Sequence, residues 1–113
     1  NAKSSKEALA VLQRMNDLNI EIQRIHYTTA ISTCGKNNDW HAVMDLLREM
    51  EGEKGIQATV VTYNAVLDAY AKTGMWKKAM KLLQNMPLQG IQPDARSYQA
   101  VLYAFKVAGK GKE

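Results

Sequence analysis

A repeat of 35 to 36 residues constrains this chain more than any other feature of its sequence. When residues 24–50 are laid over residues 60–86, seven of the 27 positions are identical. The identical pairs are Tyr27–Tyr63, Lys36–Lys72, Trp40–Trp76, Met44–Met80, Leu46–Leu82, Leu47–Leu83 and Met50–Met86. A period of this length is typical of repeat proteins, in which each unit buries its apolar face against its neighbours.

The repeat continues in part at both ends of the chain. From Gly55 onwards the offset falls to 35, because the first full copy has one extra residue after Met50, and we expect a loop insertion there. Residues 95–113 match the first half of a copy, and residues 1–23 match the second half at an offset of 71. The predicted segments are a partial repeat at 1–23, a degenerate repeat at 24–59, a full repeat at 60–94 and a partial repeat at 95–113.

Each full copy contains two helical patterns. In the second copy, a first stripe of small and apolar residues runs from Ala65 to Tyr70, and Gly74 can end that helix in a left-handed turn. A second amphipathic stripe runs from Trp76 to Met86 and stops before a proline. Asp94 is then well placed as the N-cap of the next helix.

The composition supports an all-α fold. The chain has two prolines and one phenylalanine beside many strong helix formers. Neither helix of a copy can bury its apolar stripe alone, so helix pairs must stack, and the regular period favours an open α-solenoid over a closed bundle. The methionines and tryptophans that recur on the second helices are interpreted as core residues: Trp40, Trp76, Met44, Met80, Met50 and Met86.

Catalysis and metal binding find little support in the sequence. A single cysteine excludes an intrachain disulfide and the sites that need several thiolates. Cys34 aligns with the packed stripe of a first helix, so a buried thiol is a better interpretation than a nucleophile paired with His26 or His41. We therefore expect no enzymatic activity, no metal site and no cofactor.

The sequence also indicates in which cellular environment, and with which kind of partner, the chain is found. No apolar run approaches the roughly 18 residues that a membrane span needs, so we expect a soluble protein without membrane insertion and, with one cysteine, a reducing compartment. The first 25 residues show no charged start followed by an apolar block, so we expect no targeting peptide within this sequence. The net charge is +4 and is weighted towards the C-terminal half, which weakly favours a nucleic-acid partner.

The full copy, Val60–Asp94, resembles the pentatricopeptide repeat. The resemblance rests on the Val-Val-Thr-Tyr-Asn opening, the turn at Gly74, Ala79 and Met86 in the second helix, and the Gly-Ile-x-Pro-Asp close. The copy at 24–59 is similar but diverges at both of its ends. With the two half-copies the resemblance covers nearly the whole chain, as about three repeats.

This resemblance implies single-stranded RNA as a partner. Proteins of this family bind RNA along a groove lined by the first helices and read about one base per repeat. In the full copy the residues at the reading positions are Asn64 and Asp94, a pair that in the family prefers uridine. Val61 stands at the position of the aliphatic wedge that packs against a base.

The same positions differ in the other copies. The repeat at 24–59 offers Thr28 with Thr59, which is not a usual reader of any one base, and Ile25 as its wedge. The last partial copy offers Gln99 as a reader and carries Arg96 where the wedge belongs.

Two functions are compatible with these observations. The first is an RNA-binding module in organellar RNA processing, stability or translation, in a chloroplast or mitochondrion. The second is a protein-binding helical scaffold within a larger organellar assembly. Basic residues along the groove of the first helices indicate RNA, whereas a contiguous exposed apolar patch indicates a protein partner.

Overall fold

The computed structural model describes the backbone of residues 2–109 and the side chains of residues 5–109. Over that range the chain is all-α and contains no strand, as the sequence predicts. Its six helices are α1 (Ala2–Asp17), α2 (Arg24–Lys36), α3 (Trp40–Arg48), α4 (Val60–Lys72), α5 (Trp76–Asn85) and α6 (Ala95–Gly109). None of these helices combines the length and the apolar character needed to cross a membrane.

The chain forms two compact units that meet in sequence between Ala58 and Thr59. In the first unit, α1 and α3 both pack against α2. In the second unit, α4, α5 and α6 all pack against one another. Each unit is therefore built from helical hairpins with short connections, which is how a repeat of this length buries two amphipathic helices.

The first helix of each copy begins at a capping box. α2, α4 and α6 start directly after Gln23, Thr59 and Asp94, so each repeat's predicted first residue is also the first helical residue. At each start the backbone N–H of the N-cap donates to the side chain three residues on, with distances of 2.9, 3.3 and 3.1 Å. Those acceptors are His26 Nδ1, Thr62 Oγ1 and Ser97 Oγ. The predicted capping role of Asp94 is confirmed, because the Ser97 N–H donates to Asp94 Oδ1 over 3.1 Å.

The extra residue of the first full copy is not a loop insertion, contrary to the sequence-based expectation. It lies in a π-helical turn, Glu49–Glu53, in which the Lys54 N–H donates to the Glu49 carbonyl over 3.0 Å. The corresponding part of the second copy is a 3-10 turn, Pro87–Gln89. A π turn holds one more residue than an α turn, so the helix absorbs the insertion and the following turn keeps its place.

Both units have a small apolar core. In the first unit Ile31, Val43 and Met50 are fully buried, and the buried Tyr27 hydroxyl donates to Glu49 Oε2 over 2.7 Å. The core of the second unit consists of Leu67, Ala71, Ala79, Met86, Ala100, Val101 and Ala104.

The recurring methionines and tryptophans are not equally buried. Met50 and Met86 are fully buried, and Trp76 and Met80 pack against the core of the second unit, so the core interpretation holds for these residues. Met44 is 37% exposed, and its interpretation as a core residue is wrong.

Candidate nucleic-acid interface

The predicted reading pair of the full copy is brought together in the structure. Asn64 lies in the second turn of α4, and its Nδ2 donates to Asp94 Oδ1 over 3.0 Å. The two residues are 30 positions apart in sequence and meet because α4 packs directly against α6, whose N-cap is Asp94. The amide must turn its nitrogen towards Asp94, since an ionised carboxylate only accepts hydrogen bonds.

Ser97 completes this site and was not singled out from the sequence. Its hydroxyl donates to Asn64 Oδ1 over 2.6 Å, and its oxygen also lies 3.0 Å from Asp94 Oδ1. Ser97 is fully buried and Asn64 is 5% exposed, so most of the Asn64 side chain is held inside the helix pair. The sequence signal for Ser97 is its position three residues after an N-cap aspartate, the second half of a capping box.

The hydrogen bonds of this network favour the ionised form of the Asp94 carboxylate. The Asn64 amide and the Ser97 N–H, which donate to the carboxylate, hold the pKa of Asp94 below its ordinary value of 3.8. Asp94 itself is exposed. The site therefore presents an ionised carboxylate at the surface, oriented by a buried amide and a buried hydroxyl.

The predicted wedges have the exposure that a base-stacking role requires. Val61 is 60% exposed in the first turn of α4, and Ile25 is 61% exposed in the first turn of α2. An apolar side chain with more than half of its surface in water is available to pack against the flat face of a ligand. At the equivalent position of α6, Arg96 instead donates through Nη2 to Asp68 Oδ2 on α4 over 3.0 Å.

The reading positions of the degenerate copy have different surroundings. Thr28 is buried, with 8% exposure, in α2 of the first unit. Thr59 belongs to the second unit, where it is the N-cap of α4 and its N–H donates to Thr62 Oγ1. Thr59 therefore caps a helix of the second unit, and Thr28 lies among the buried residues of the first unit.

The last reading position, Gln99, lines a surface cavity of about 400 Å³ between α4 and α6. Sequence reasoning did not predict this cavity. Its lining includes basic, acidic and aromatic side chains from both helices, namely Asp68, Lys72, Arg96, Tyr103 and Lys106. The signal that could have indicated it is the spacing of Arg96, Gln99, Tyr103 and Lys106, which places them on one face of a helix.

The structure places the residues considered for chemistry in three different surroundings. Cys34 is a buried free thiol, as predicted, and burial raises its pKa. His26 caps α2 through Nδ1, and His41 lies 3.1 Å from Asp45 on the exposed face of α3. Among the described residues, no three histidines, cysteines or carboxylates are grouped as a metal site.

Two family models match the chain. The pentatricopeptide repeat domain matches residues 10–73, which is more than half of the chain, and the PPR repeat family matches residues 58–106. The chain belongs to the pentatricopeptide repeat family. Together the two matches include the Asn64–Asp94–Ser97 network and the cavity beside it.

Curated pentatricopeptide repeat proteins from plants are similar along most of the chain. A chloroplastic relative from Arabidopsis thaliana is 30% identical over 112 residues, which cover 99% of this chain and 14% of the relative. Pentatricopeptide repeat-containing protein 10 of Zea mays, also chloroplastic, is 32% identical over 79 residues, covering 69% of this chain and 10% of the relative. A mitochondrial relative from Arabidopsis thaliana is 31% identical over 88 residues, which cover 78% of this chain and 19% of the relative. The chain spans between a tenth and a fifth of these relatives.

The fold agrees with a solved pentatricopeptide repeat structure. The crystal structure of PPR10 in complex with an 18-nucleotide psaJ RNA element matches 96% of this chain and 16% of the PPR10 chain. The TM-score is 0.78 at 25% sequence identity. The predicted fold class, helical hairpin repeats of the pentatricopeptide solenoid type, is therefore confirmed.

Proposed function

We propose that this chain is a single-stranded RNA-binding segment of a pentatricopeptide repeat protein. The observation that carries the proposal is the Asn64–Asp94–Ser97 network, which holds a carboxylate and an amide together at the helix pair where this family is expected to read a base. Preorganised polar groups lose little conformational freedom on binding. The PPR10 structure, which contains RNA and has the same fold, supports the same partner here.

The chemistry of the network supports uridine at this position. An ionised Asp94 offers only acceptors, so it complements the N3–H of uridine and repels the N3 lone pair of cytidine. Asn64 Nδ2 donates one of its two N–H groups to Asp94, and its other N–H complements a uracil carbonyl oxygen. The exposed Val61 supplies an apolar surface for the face of the base.

The surface between α4 and α6 also carries positive charge. Lys72 ends α4, and Arg96 and Lys106 lie on α6, all three at the same surface cavity. Cations in this place attract the phosphate backbone of RNA without reading its sequence. Part of the basic character inferred from the composition thus lies where RNA is proposed to bind.

These residues alone supply only part of the affinity that a specific complex needs. At about 1–3 kcal/mol per stacked base, three repeats give roughly 3–9 kcal/mol. Association costs on the order of 4–15 kcal/mol in lost freedom. We infer that tight binding draws on further repeats, in keeping with relatives that are about four to seven times longer. The chloroplastic and mitochondrial relatives support organellar RNA processing, stability or translation as the setting.

A protein partner is the second candidate, and one observation favours it. α6 carries a line of exposed apolar side chains, in which Tyr98 is 55%, Leu102 67% and Phe105 40% exposed. Exposed apolar surface of this extent on one helix is typical of a face that packs against protein. A scaffold role within a larger organellar assembly would use this face and leave the Asp94 site without RNA.

The proposal is tested by measuring base preference. The full-length protein and its Asp94→Asn variant are each incubated with a random RNA library, and the bound RNA is sequenced. We expect a short selected motif with uridine over cytidine at one position, and loss of that preference in Asp94→Asn, because an amide can donate to cytidine N3. Glu21→Gln, which changes an exposed carboxylate in the same way outside the site, is the control. An unchanged motif in the folded Asp94→Asn variant, or no motif for the wild type, contradicts the proposal.

A further inference from the structure

We propose that the cavity between α4 and α6 binds one nucleotide of the RNA, with a base stacked on Tyr103 and its phosphate held by Lys106 and Lys72. This inference rests on the proposed RNA-binding function and adds a subsite beyond the Asn64–Asp94 pair. The cavity has a volume of about 400 Å³ and belongs entirely to the second unit. Its volume lies within the range of small-molecule sites.

The cavity is formed by one face of α6 against one face of α4. Arg96, Gln99, Tyr103 and Lys106 are spaced by three, four and three residues, which aligns them along α6. With a rise of 1.5 Å per residue, Tyr103 lies roughly 10 Å along the helix from Arg96 and roughly 4.5 Å before Lys106. An aromatic ring and a cation at this separation can contact the base and the phosphate of a single nucleotide.

The other first helices do not carry this set of side chains. The positions of α4 that match those four residues at an offset of 35 are Val61, Asn64, Asp68 and Ala71. The matching positions of α2, at an offset of 71, are Ile25, Thr28, Ser32 and Gly35. The combination of guanidinium, amide, aromatic ring and ammonium therefore belongs to α6 alone among these helices, and repeat architecture does not account for it.

The charges of the cavity favour an anion. Three cationic side chains, Lys72, Arg96 and Lys106, face a single carboxylate, Asp68. Asp68 is already paired with Arg96, whose Nη2 lies 3.0 Å from Asp68 Oδ2. The two lysines remain as the free positive charge of the site, and both are exposed. A phosphate is the RNA group that such a pair of ammonium groups binds.

Tyr103 supplies an aromatic surface on which a base can stack. Tyr103 is 47% exposed, so a large part of its surface is open to a ligand. Stacking on an aromatic ring accepts any base, since every base has a flat π face. Arg96, which is paired with Asp68, lines the cavity two residues after Asp94 in sequence. A nucleotide in the cavity would thus lie beside the one read by Asn64 and Asp94.

The experiment uses the full-length protein and the RNA that the wild type selects from a random library. Two pairs of variants are compared by fluorescence anisotropy over a range of salt concentrations. Tyr103→Leu is matched with Tyr98→Leu, a similarly exposed tyrosine of α6 outside the cavity. Lys106→Gln is matched with Lys81→Gln, an exposed lysine of α5 outside the cavity. Circular dichroism establishes that all four variants are folded.

We expect Tyr103→Leu to weaken binding between about fivefold and a hundredfold, the range for loss of one stacked base, and Tyr98→Leu to leave it within about twofold. Lys106→Gln should reduce the slope of log affinity against log salt by about 0.7, the value for one phosphate contact, and Lys81→Gln should not change the slope. Equal effects within both pairs overturn this subsite while leaving RNA binding by Asn64 and Asp94 intact. A wild type that selects no RNA overturns the proposed function, and this inference with it.

Discussion

The Asn64 side chain donates a hydrogen bond to the Asp94 carboxylate over 3.0 Å, linking the first helix of one repeat to the cap of the next. One small network thus serves two purposes. It begins α6 and packs it against α4, and it aligns the two groups that are proposed to read a base. Substitutions in the network should therefore change both stability and RNA preference.

Acid should weaken the contribution of Asp94 to stability. Because its pKa is lower in the folded chain than the ordinary value of 3.8, the ionised carboxylate stabilises the fold above that value, and the contribution is lost as pH falls through the folded pKa. We expect the difference in unfolding free energy between the wild type and Asp94→Asn to be constant from about pH 5 to 7 and to shrink below about pH 4. Urea unfolding at several pH values measures this difference in unfolding free energy. A difference that becomes larger as the pH falls would contradict the stabilising role of the ionised Asp94.

Ser97 should be coupled energetically to Asn64. Removing the Ser97 hydroxyl leaves the buried Asn64 carbonyl oxygen without its donor, so Ser97→Ala should cost about 1–3 kcal/mol of unfolding free energy. In a double-mutant cycle with Asn64→Ala, we expect a coupling energy of about 0.5–3 kcal/mol, measured by urea unfolding. Gln84→Ala, an exposed change on α5, should show no coupling to Asn64. Additive effects of Ser97→Ala and Asn64→Ala would show that the contact does not stabilise the fold.

The turn at Gly74 should tolerate a side chain poorly for two reasons. Gly74 has a φ of +71°, and a Cβ there would lie 3.3 Å from Val107 Cγ1. Gly90 has a φ of +79°, and a Cβ there would meet no atom within 4 Å, so Gly90→Ala isolates the backbone cost of about 1–2 kcal/mol. We expect Gly74→Ala to lower the midpoint of thermal unfolding more than Gly90→Ala does. When Val107→Ala is also present, the difference between the two midpoints should become smaller. Equal midpoints would rule out the steric contribution.

The single cysteine should report on opening of the first unit. Cys34 is fully buried and burial raises its pKa, so its thiolate is both scarce and inaccessible in the folded chain. We expect labelling by a chromogenic disulfide reagent at about pH 8 to be slow without denaturant and to accelerate with the unfolding transition in urea. Rapid labelling of the native chain would contradict the packing described for α2.

The repeat register predicted much of the fold. The starts of α4 and α6, the turn at Gly74 and the capping role of Asp94 all follow from local signals in the full copy. Asn38, the counterpart of Gly74 in the first copy, has a φ of +62°. Asparagine is the usual substitute for glycine in this conformation. The alignment of the two copies therefore predicts a left-handed turn at Asn38, which asparagine by itself does not indicate.

The candidate site could be predicted only in part. Asn64 and Asp94 were identified by resemblance, but the burial of Asn64 and the role of Ser97 depend on how α4 packs against α6. The pair of Asp68 and Arg96 likewise joins residues 28 positions apart. The π-helical turn at Glu49–Glu53 could not be predicted from the sequence either, because one inserted residue fits a loop as well as a wider helical turn.

Contact between RNA and the helix pair that contains Asn64 and Asp94 can be measured directly. Ultraviolet light crosslinks the full-length protein to RNA in its native compartment, the protected RNA is sequenced, and the crosslinked peptides are identified by mass spectrometry. We predict short reproducible footprints with uridine in the register of Asn64 and Asp94, and crosslinked peptides from α4 and α6. No enrichment above background, with the protein instead held in a stable assembly through the exposed face of α6, would contradict RNA binding at this site.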